Sequence, residues 1–150
     1  MNVGPTADGS LSPIFLERLS EVGRWLLTNA DAIHGTRPWA GSLPHGMEGT
    51  ATLPFGERNN TYYTTKGGAV YAISMTYPEW DSASAACLLE LRTPVGLPGV
   101  TTAHLLVMEG ESVQVRWAEA SAGGLVLFLP MLPRETANAW TLKLVGLKNA

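Results

Sequence analysis

Several residue types are scarce in this chain of 150 residues, and each shortage excludes a class of protein. There is one cysteine, Cys87, so no disulfide can form within the chain. The three histidines lie far apart, and no cysteine or carboxylate pattern that could complete a zinc site accompanies them. No metal and no other cofactor is therefore expected. Cys87 stands among alanines and leucines, which favours a buried structural thiol over a reactive one.

Charge is also sparse. Charged residues make up 15% of the chain, and the net charge of −3 is spread without long runs of either sign. The sequence therefore shows no cluster of basic residues of the kind that binds nucleic acid. Its apolar residues never run long enough to cross a bilayer, and no signal-peptide pattern opens the sequence. What remains, with 45% hydrophobic residues, 16 glycines and 10 prolines, is enough for one good core broken by many turns.

Turn-forming residues open the chain, and a helix follows them. Ser12 and Pro13 predict the helix start, as an N-cap followed by a proline in the first turn. Asn29 is predicted to stop the helix in a left-handed conformation. Leaving the apolar face of this helix in water would forgo roughly 1.5–3 kcal/mol per large side chain, so we expect it to pack on something. That face comprises Phe15, Leu16, Leu19, Val22, Gly23, Leu26 and Leu27.

The remainder of the chain predicts short strands. Residues 40–58 are rich in glycine and proline and read as a linker. After them, Lys66-Gly67-Gly68 predicts a hairpin turn between two strands rich in tyrosine, threonine and valine. About seven strands with regular turn signals predict an antiparallel β-sandwich, preceded by the one α-helix. The predicted strands are 61–65, 69–76, 87–92, 104–109, 113–117, 125–129 and 140–147.

Acidic side chains are candidates for catalysis, and aromatic side chains are candidates for sugar binding. Glu17 and Glu21 lie four residues apart on the polar side of the helix, where they are interpreted as solvated charges. No acid falls in a convincing cleft pattern, so no catalytic residue is predicted. The five tryptophans could stack on sugar rings, but packing is the more common role of tryptophan. Trp80, in a Pro-Glu-Trp-Asp turn, is the best stacking candidate, and Trp39 is expected to wedge between domains.

Several motifs, in order, resemble the C-terminal part of animal-type α-L-fucosidases, glycoside hydrolase family 29. The resemblance covers nearly the whole chain. It departs from the family pattern at Ala30, Asp31 and His34 and over 40–58 and 91–101. The motifs are NVGPTADG at 2–9, GRWL at 23–26, GTRPW at 35–39, YYTTK at 62–66, AVYAI at 69–73, LPMLP at 129–133 and AWTLKL at 139–144.

The resemblance implies how the chain is organised and what it does. Residues 1–39 would be the loop and last helix of the (β/α)8 catalytic domain, the last βα unit of a truncated TIM barrel. Residues 40–58 would be a linker and 59–150 the C-terminal β-sandwich domain. Family members are retaining hydrolases that release terminal α-L-fucose from glycoproteins and glycolipids by means of two carboxylates. Neither carboxylate has a matching position here, so the isolated chain is expected to be inactive. The alternative is a non-catalytic sandwich that binds a glycan or a protein.

Two asparagines complete the expectations. Asn2 would lie at the rim of the barrel's active site and support it through hydrogen bonds, although a purely connecting loop is the more common case. Asn59 begins an N-glycosylation sequon. The resemblance implies a lysosomal or secreted full-length protein, so the missing signal means either an absent start or a cytosolic product. The expected partners are fucosylated glycans, through the full-length enzyme, and the rest of the barrel. A homo-oligomer is left open.

Overall fold

A computed structural model gives the fold for residues 4–39, 61–75, 80–108, 110–121, 123–131 and 139–148. Asn2, Asn59 and the predicted linker lie outside these ranges. The described residues form two helices, α1 (Pro13–Thr28) and α2 (Ala30–Ile33), and nine strands. The strands are β1 (Arg37–Pro38), β2 (Thr61–Lys66), β3 (Ala69–Ser74), β4 (Trp80–Asp81), β5 (Ala86–Leu91), β6 (Thr102–Met108), β7 (Glu111–Glu119), β8 (Leu125–Leu129) and β9 (Trp140–Val145).

The start of α1 and its stop at Asn29 follow the sequence prediction, but the conformation of Asn29 does not. The Ser12 hydroxyl accepts a hydrogen bond from the Phe15 N–H at 3.3 Å, and Pro13 occupies the first turn. Asn29 was predicted to be left-handed, but its φ is −106°. Its backbone N–H and its side-chain amide both donate to the Trp25 carbonyl, at 3.0 and 2.9 Å. These bonds close the helix without a left-handed residue, and the chain continues directly into α2.

All strand pairs in the described sheet are antiparallel, in the order β1-β2-β3-β9-β6-β7-β8-β5-β4. The sheet folds over on itself at β7, which belongs to both halves. One half comprises β1, β2, β3, β9, β6 and β7, and the other comprises β7, β8, β5 and β4. This arrangement confirms the predicted mainly β fold, an antiparallel sandwich preceded by a helix.

The core lies between the two halves of the sheet. On β8, Leu125, Leu127 and Leu129 are buried while the residues between them are half-buried, which is the alternation of a strand with one face inward. Cys87 is buried in this core too, as predicted. Trp39 was expected between domains, but it packs inside the core against Tyr63, with ring centroids 5.4 Å apart. Its segment pairs with β2 through β1, which explains that position.

A second, smaller apolar cluster joins the helices to the outer face of β3. Ala69, Tyr71 and Ile73 form its floor, and Trp25 and Ile33 pack against it. Three kinds of polar contact fix this junction. The Trp25 indole N–H donates to the Ala139 carbonyl at 2.8 Å, and the Thr64 hydroxyl donates to the Ala32 carbonyl at 2.8 Å. The Lys66 ammonium lies 3.3 Å from the Asp31 carboxylate. Because both faces of β3 are covered, every residue of that strand is buried.

Candidate functional site

Glycoside hydrolysis by the retaining mechanism needs two carboxyl groups close to each other. Asp8 accepts hydrogen bonds from Thr6 and Ser10, which lower the pKa of its exposed carboxyl to about 2. Glu21 pairs with Arg18 at 2.7 Å and Asp31 with Lys66. None of the carboxylates in the described ranges is buried, whereas a general acid of this kind depends on burial to raise its pKa.

In the described residues, no three histidine, cysteine, aspartate or glutamate side chains come close enough together to hold a metal ion. No helix in those ranges has the length and apolar character needed to cross a membrane.

The tryptophans separate into packed and exposed ones. Trp25, Trp117 and Trp140 are half-buried against the apolar clusters, and Trp39 is buried. Trp80 is 45% exposed and stands on the two-residue edge strand β4, which pairs with β5 through Cys87. Packing therefore accounts for four of the five, and Trp80 is the most exposed of them.

An open cleft forms where β7 passes from one half of the sheet to the other. The pairing of β7 with β6 ends with Val115 opposite Ala103, and its pairing with β8 begins with Arg116 opposite Phe128. Since β6 and β7 separate at this point, a space of about 590 Å³ opens between them. Thr102, Gln114, Arg116 and Phe128 line it from the outer surface, and Thr101 and Trp117 contribute its inner wall.

The side chains on the outer surface are set by strand alternation. Ala103 and Val115 point into the core, so their neighbours Thr102, Gln114 and Arg116 project outward. The Arg116 guanidinium carbon lies 5.1 Å from the centre of the Phe128 ring, a cation–π contact. Within the described ranges, Arg116 forms no ion pair, and the Thr102 and Gln114 side chains have no hydrogen-bond partner.

The inner wall of the cleft is held in place by a short network. The Trp117 indole N–H donates to the Thr101 carbonyl at 3.0 Å. The Thr101 hydroxyl donates to the Gly146 carbonyl at 2.6 Å and accepts from the Leu97 N–H at 2.7 Å. Gly96 lies against the Trp117 ring, and a Cβ at Gly96 would stand 2.5 Å from it. The wall is thus fixed before any ligand arrives.

The helix α1 carries a second unusual surface. None of its residues is buried, although it was expected to pack its apolar face. Leu16 and Leu27 are 48% and 54% exposed, and with Gly23 they lie along one side of the helix, spaced seven and four residues apart. Nothing lies within 4 Å of a Cβ built at Gly23. We call the line formed by Leu16, Gly23 and Leu27 the open stripe.

The comparison with known families settles what kind of domain this is. The family model described as the alpha-L-fucosidase C-terminal domain matches residues 57–145, more than half of the chain. The chain belongs to the α-L-fucosidase family. The matched region begins before β2 and includes β2 to β9, so the fucosidase domain comprises both halves of the sandwich.

Relatives of known identity are similar over the whole length of the chain. Tissue alpha-L-fucosidase of Bos taurus is 38% identical over 152 residues, which include 99% of this chain and 28% of that protein. The Homo sapiens tissue enzyme is 36% identical over 153 residues, again covering 99% of the chain and 28% of the relative. The chain therefore spans somewhat over a quarter of the length of these fucosidases, and it corresponds to their C-terminal part.

Solved structures show the same fold. An alpha-L-fucosidase isoenzyme from Paenibacillus thiaminolyticus superposes with a TM-score of 0.63 at 24% identity, over 98% of this chain and 30% of that one. A Thermotoga maritima alpha-fucosidase, solved with a mechanism-based inhibitor, gives 0.61 at 20% identity, over 96% and 29%. At these identities the likeness establishes the fold of the fucosidase domain.

The structure brings together residues that the sequence analysis did not connect. The cleft residues Thr102, Gln114 and Phe128 of the fucosidase domain were not singled out, and neither was Arg116. Their proximity depends on β7 changing partners, from β6 up to Val115 to β8 from Arg116 onward, which the predicted strand 113–117 did not indicate. Alternating polar and apolar residues on both sides of that segment were the available signal. Trp80 lies apart on the edge strand β4, while Asn2 and Asn59 fall outside the described residues.

Proposed function

We propose that this chain is the non-catalytic C-terminal part of an α-L-fucosidase, and that it serves a catalytic domain that releases terminal α-L-fucose from glycoproteins and glycolipids. The observation that carries the proposal is the open stripe on α1. A helix that rests on a sheet through Trp25 yet exposes Leu16 and Leu27 has a second face suited to a second domain. Gly23 in the same line lets the backbone of that domain approach closely.

The carboxylates of the described residues support a non-catalytic role for this chain. In the described ranges they are exposed or half-buried, and Glu21 and Asp31 pair with a neighbouring cation. The nucleophile and the acid/base of a retaining mechanism would therefore be supplied by the catalytic domain. Within this proposal, residues 1–39 belong with that domain and 59–150 form the sandwich, joined by the linker 40–58. The exceptions are β1, which pairs with β2, and Trp39, which packs in the core of the sandwich. Asn2 supports the active site, Asn59 carries a glycan, and the full-length enzyme is lysosomal or secreted.

The test is a pair of proteins assayed with an aryl fucoside. One is the 150-residue chain alone, which we expect to release no fucose. The other is a chimera in which this chain replaces the corresponding 28% of the bovine tissue enzyme, and we expect it to be active. Turnover by the chain alone would overturn the accessory role. A chimera that folds but does not turn over would show that this chain cannot serve a fucosidase catalytic domain.

A second candidate function follows from the exposure of Trp80. A sandwich with an accessible indole on an edge strand could retain fucosylated glycans without hydrolysing them. On a glycan array, this reading predicts retention by the 150-residue chain that Trp80→Ala abolishes. Equal retention by Trp80→Ala, or none by the unaltered chain, would remove it.

A further inference from the structure

The cleft between β6 and β7 combines a free cation, polar groups and an aromatic ring on fixed walls. In the described ranges, Arg116 has no carboxylate partner, and Gln114 and Thr102 offer an amide and a hydroxyl with unused hydrogen-bonding capacity. Phe128 holds the guanidinium from one side at 5.1 Å. The cleft, at about 590 Å³, is in the range of sites that hold small ligands.

The lining of the cleft contains one charged side chain, Arg116, and no carboxylate. Further out the charges of the outer face balance. Lys143 lies two strands away on β9, with its ammonium over the Tyr71 ring, and Glu90 lies two strands away on β5. The charge at the cleft itself is therefore that of Arg116, which favours an anionic group over a neutral one.

The donor set also indicates the shape of that group. An arginine fork matches the two oxygens of a planar carboxylate through parallel hydrogen bonds. An amide and a hydroxyl beside it match the hydroxyls of a sugar. We propose that this cleft is an accessory site for an acidic glycan, in which Arg116 binds the carboxylate of the sugar. The glycan assignment rests on the proposed function, whereas the anion assignment stands on the cleft itself.

The site would act on the enzyme's choice of substrate. A glycan chain that carries both a fucose and an acidic sugar could be held by its acidic end in this cleft. Holding one end of a chain raises the effective concentration of the other end near the same protein. The inference therefore deepens the proposed function by naming a class of glycan that the domain retains.

The experiment is an NMR titration of the 150-residue chain labelled with ¹⁵N, in four arms. The probes are sialyllactose, its methyl ester, sulfated lactose and lactose. We expect sialyllactose to shift the Gln114 and Arg116 signals, and the ester and lactose to bind about tenfold more weakly, because they lack the charge that pairs with arginine. Sulfated lactose should bind more weakly than sialyllactose, because its anion is not a planar carboxylate.

Variants then assign the effect to one side chain. Arg116→Ala should weaken sialyllactose binding about tenfold, and Arg116→Lys should weaken it less, because an ammonium keeps the charge without the fork. Arg92→Ala is the matched control, since Arg92 is an exposed arginine outside the cleft lining. It should leave the dissociation constant unchanged.

Four outcomes would overturn the inference. They are no shift at the cleft signals, equal binding of sialyllactose and its ester, equal binding of sulfated lactose, and full binding by Arg116→Ala. The aryl-fucoside assay of the chimera uses a substrate without an acidic sugar. Loss of fucosidase activity in the chimera would therefore contradict the proposed function without affecting sialyllactose binding by the cleft. Loss of sialyllactose binding would contradict the cleft proposal without affecting the activity of the chimera.

Discussion

Two adjacent glycines, Gly123 and Gly124, close the turn between β7 and β8, and they differ in what surrounds them. Both have positive φ, +84° and +93°. Nothing lies within 4 Å of a Cβ built at Gly123, whereas a Cβ at Gly124 would stand 2.1 Å from the Leu91 carbonyl oxygen. Glycine is therefore required at position 124 for two reasons, a left-handed backbone and a close approach to β5. At position 123 only the left-handed backbone requires it.

Alanine substitutions at Gly123 and Gly124 measure the cost of the left-handed backbone and the cost of the close approach separately. Gly123→Ala should lower the free energy of unfolding by about 1–2 kcal/mol, the cost of a left-handed alanine. Gly124→Ala should lower it by about 1–3 kcal/mol more, because the backbone of β5 must move. Urea denaturation followed by circular dichroism gives both values. Equal losses for the two variants would show that the turn can shift away from β5 at no cost.

Asp8 gives a prediction on pH. Hydrogen bonds from Thr6 and Ser10 lower the pKa of its carboxyl from 3.8 to about 2. A carboxyl whose pKa is lower in the folded state stabilises that state above its unfolded pKa, and this contribution is lost as the pH falls through the folded value. An NMR titration of the Asp8 carboxyl should therefore have its midpoint near 2, and Thr6→Val should move the midpoint upward. A midpoint near 3.8 in the unaltered chain would mean that the turn is not formed in solution.

Residue-level features were predictable where the cause is local. Ser12 and Pro13 mark a helix start because the cap involves only the next three residues. Asn29 was wrongly predicted as left-handed because its side-chain amide bonds back to Trp25, an option that propensity does not reveal. The need for glycine at position 96 depends on Trp117, 21 residues later in the sequence. Contacts of that kind leave no local signal.

At the scale of elements, α1 is attached to the sandwich by a small area and one strong polar contact. The Trp25 indole N–H reaches the carbonyl of Ala139, a buried residue just before β9. No residue of α1 is buried, so little apolar packing supplements this bond. The helix should therefore open more readily than the sheet.

Trp25→Phe tests this attachment. The variant keeps an aromatic ring but leaves the Ala139 carbonyl without its donor, which should cost about 1–2 kcal/mol. Hydrogen exchange should rise in α1 while the amides of β8 change little. Trp80→Phe is the control, since Trp80 is largely exposed and far from α1 in the sheet order. Uniform exchange in α1 and β8 would indicate that helix and sheet unfold as one unit.

Strands were predicted well when their alternation was clear. Leu125–Leu129 was predicted with the observed bounds, because three leucines alternate there. β7 was predicted four residues too short. The two residues at each of its ends include a glutamate, Glu111 or Glu119, and lack large apolar side chains that would mark them as strand. The two-residue strands β1 and β4 were missed, because pairing partners and not composition define them. The cleft was missed with them, as it forms only when β7 changes partners.

In the described part of the chain, both halves of the sheet contribute leucines to one buried cluster. The α1 helix, in contrast, leaves the open stripe in water. Surfaces of this kind promote association in proteins that lack their usual neighbour. In the longer relatives this region is the C-terminal part, and the open stripe is the face by which we propose that a catalytic domain contacts it.

Leu27→Glu tests that role in two proteins. In the 150-residue chain the substitution should change the free energy of unfolding by less than about 0.5 kcal/mol, because Leu27 is exposed, and it should reduce self-association in sedimentation velocity. In the chimera with the bovine catalytic part, the same substitution should lower the melting temperature by several degrees, since a charge would then be buried between domains.

The matched control for Leu27→Glu is Val100→Glu. Val100 is 59% exposed, on a turn of the sandwich far in sequence from α1. Its substitution adds the same charge at an exposed apolar position and should leave the chimera's melting temperature unchanged. If the two variants lowered it equally, the effect would come from added charge, and the open stripe would not be the contact face. If only Leu27→Glu lowered it, the catalytic domain covers α1, and the exposed leucines of the isolated chain are an interface.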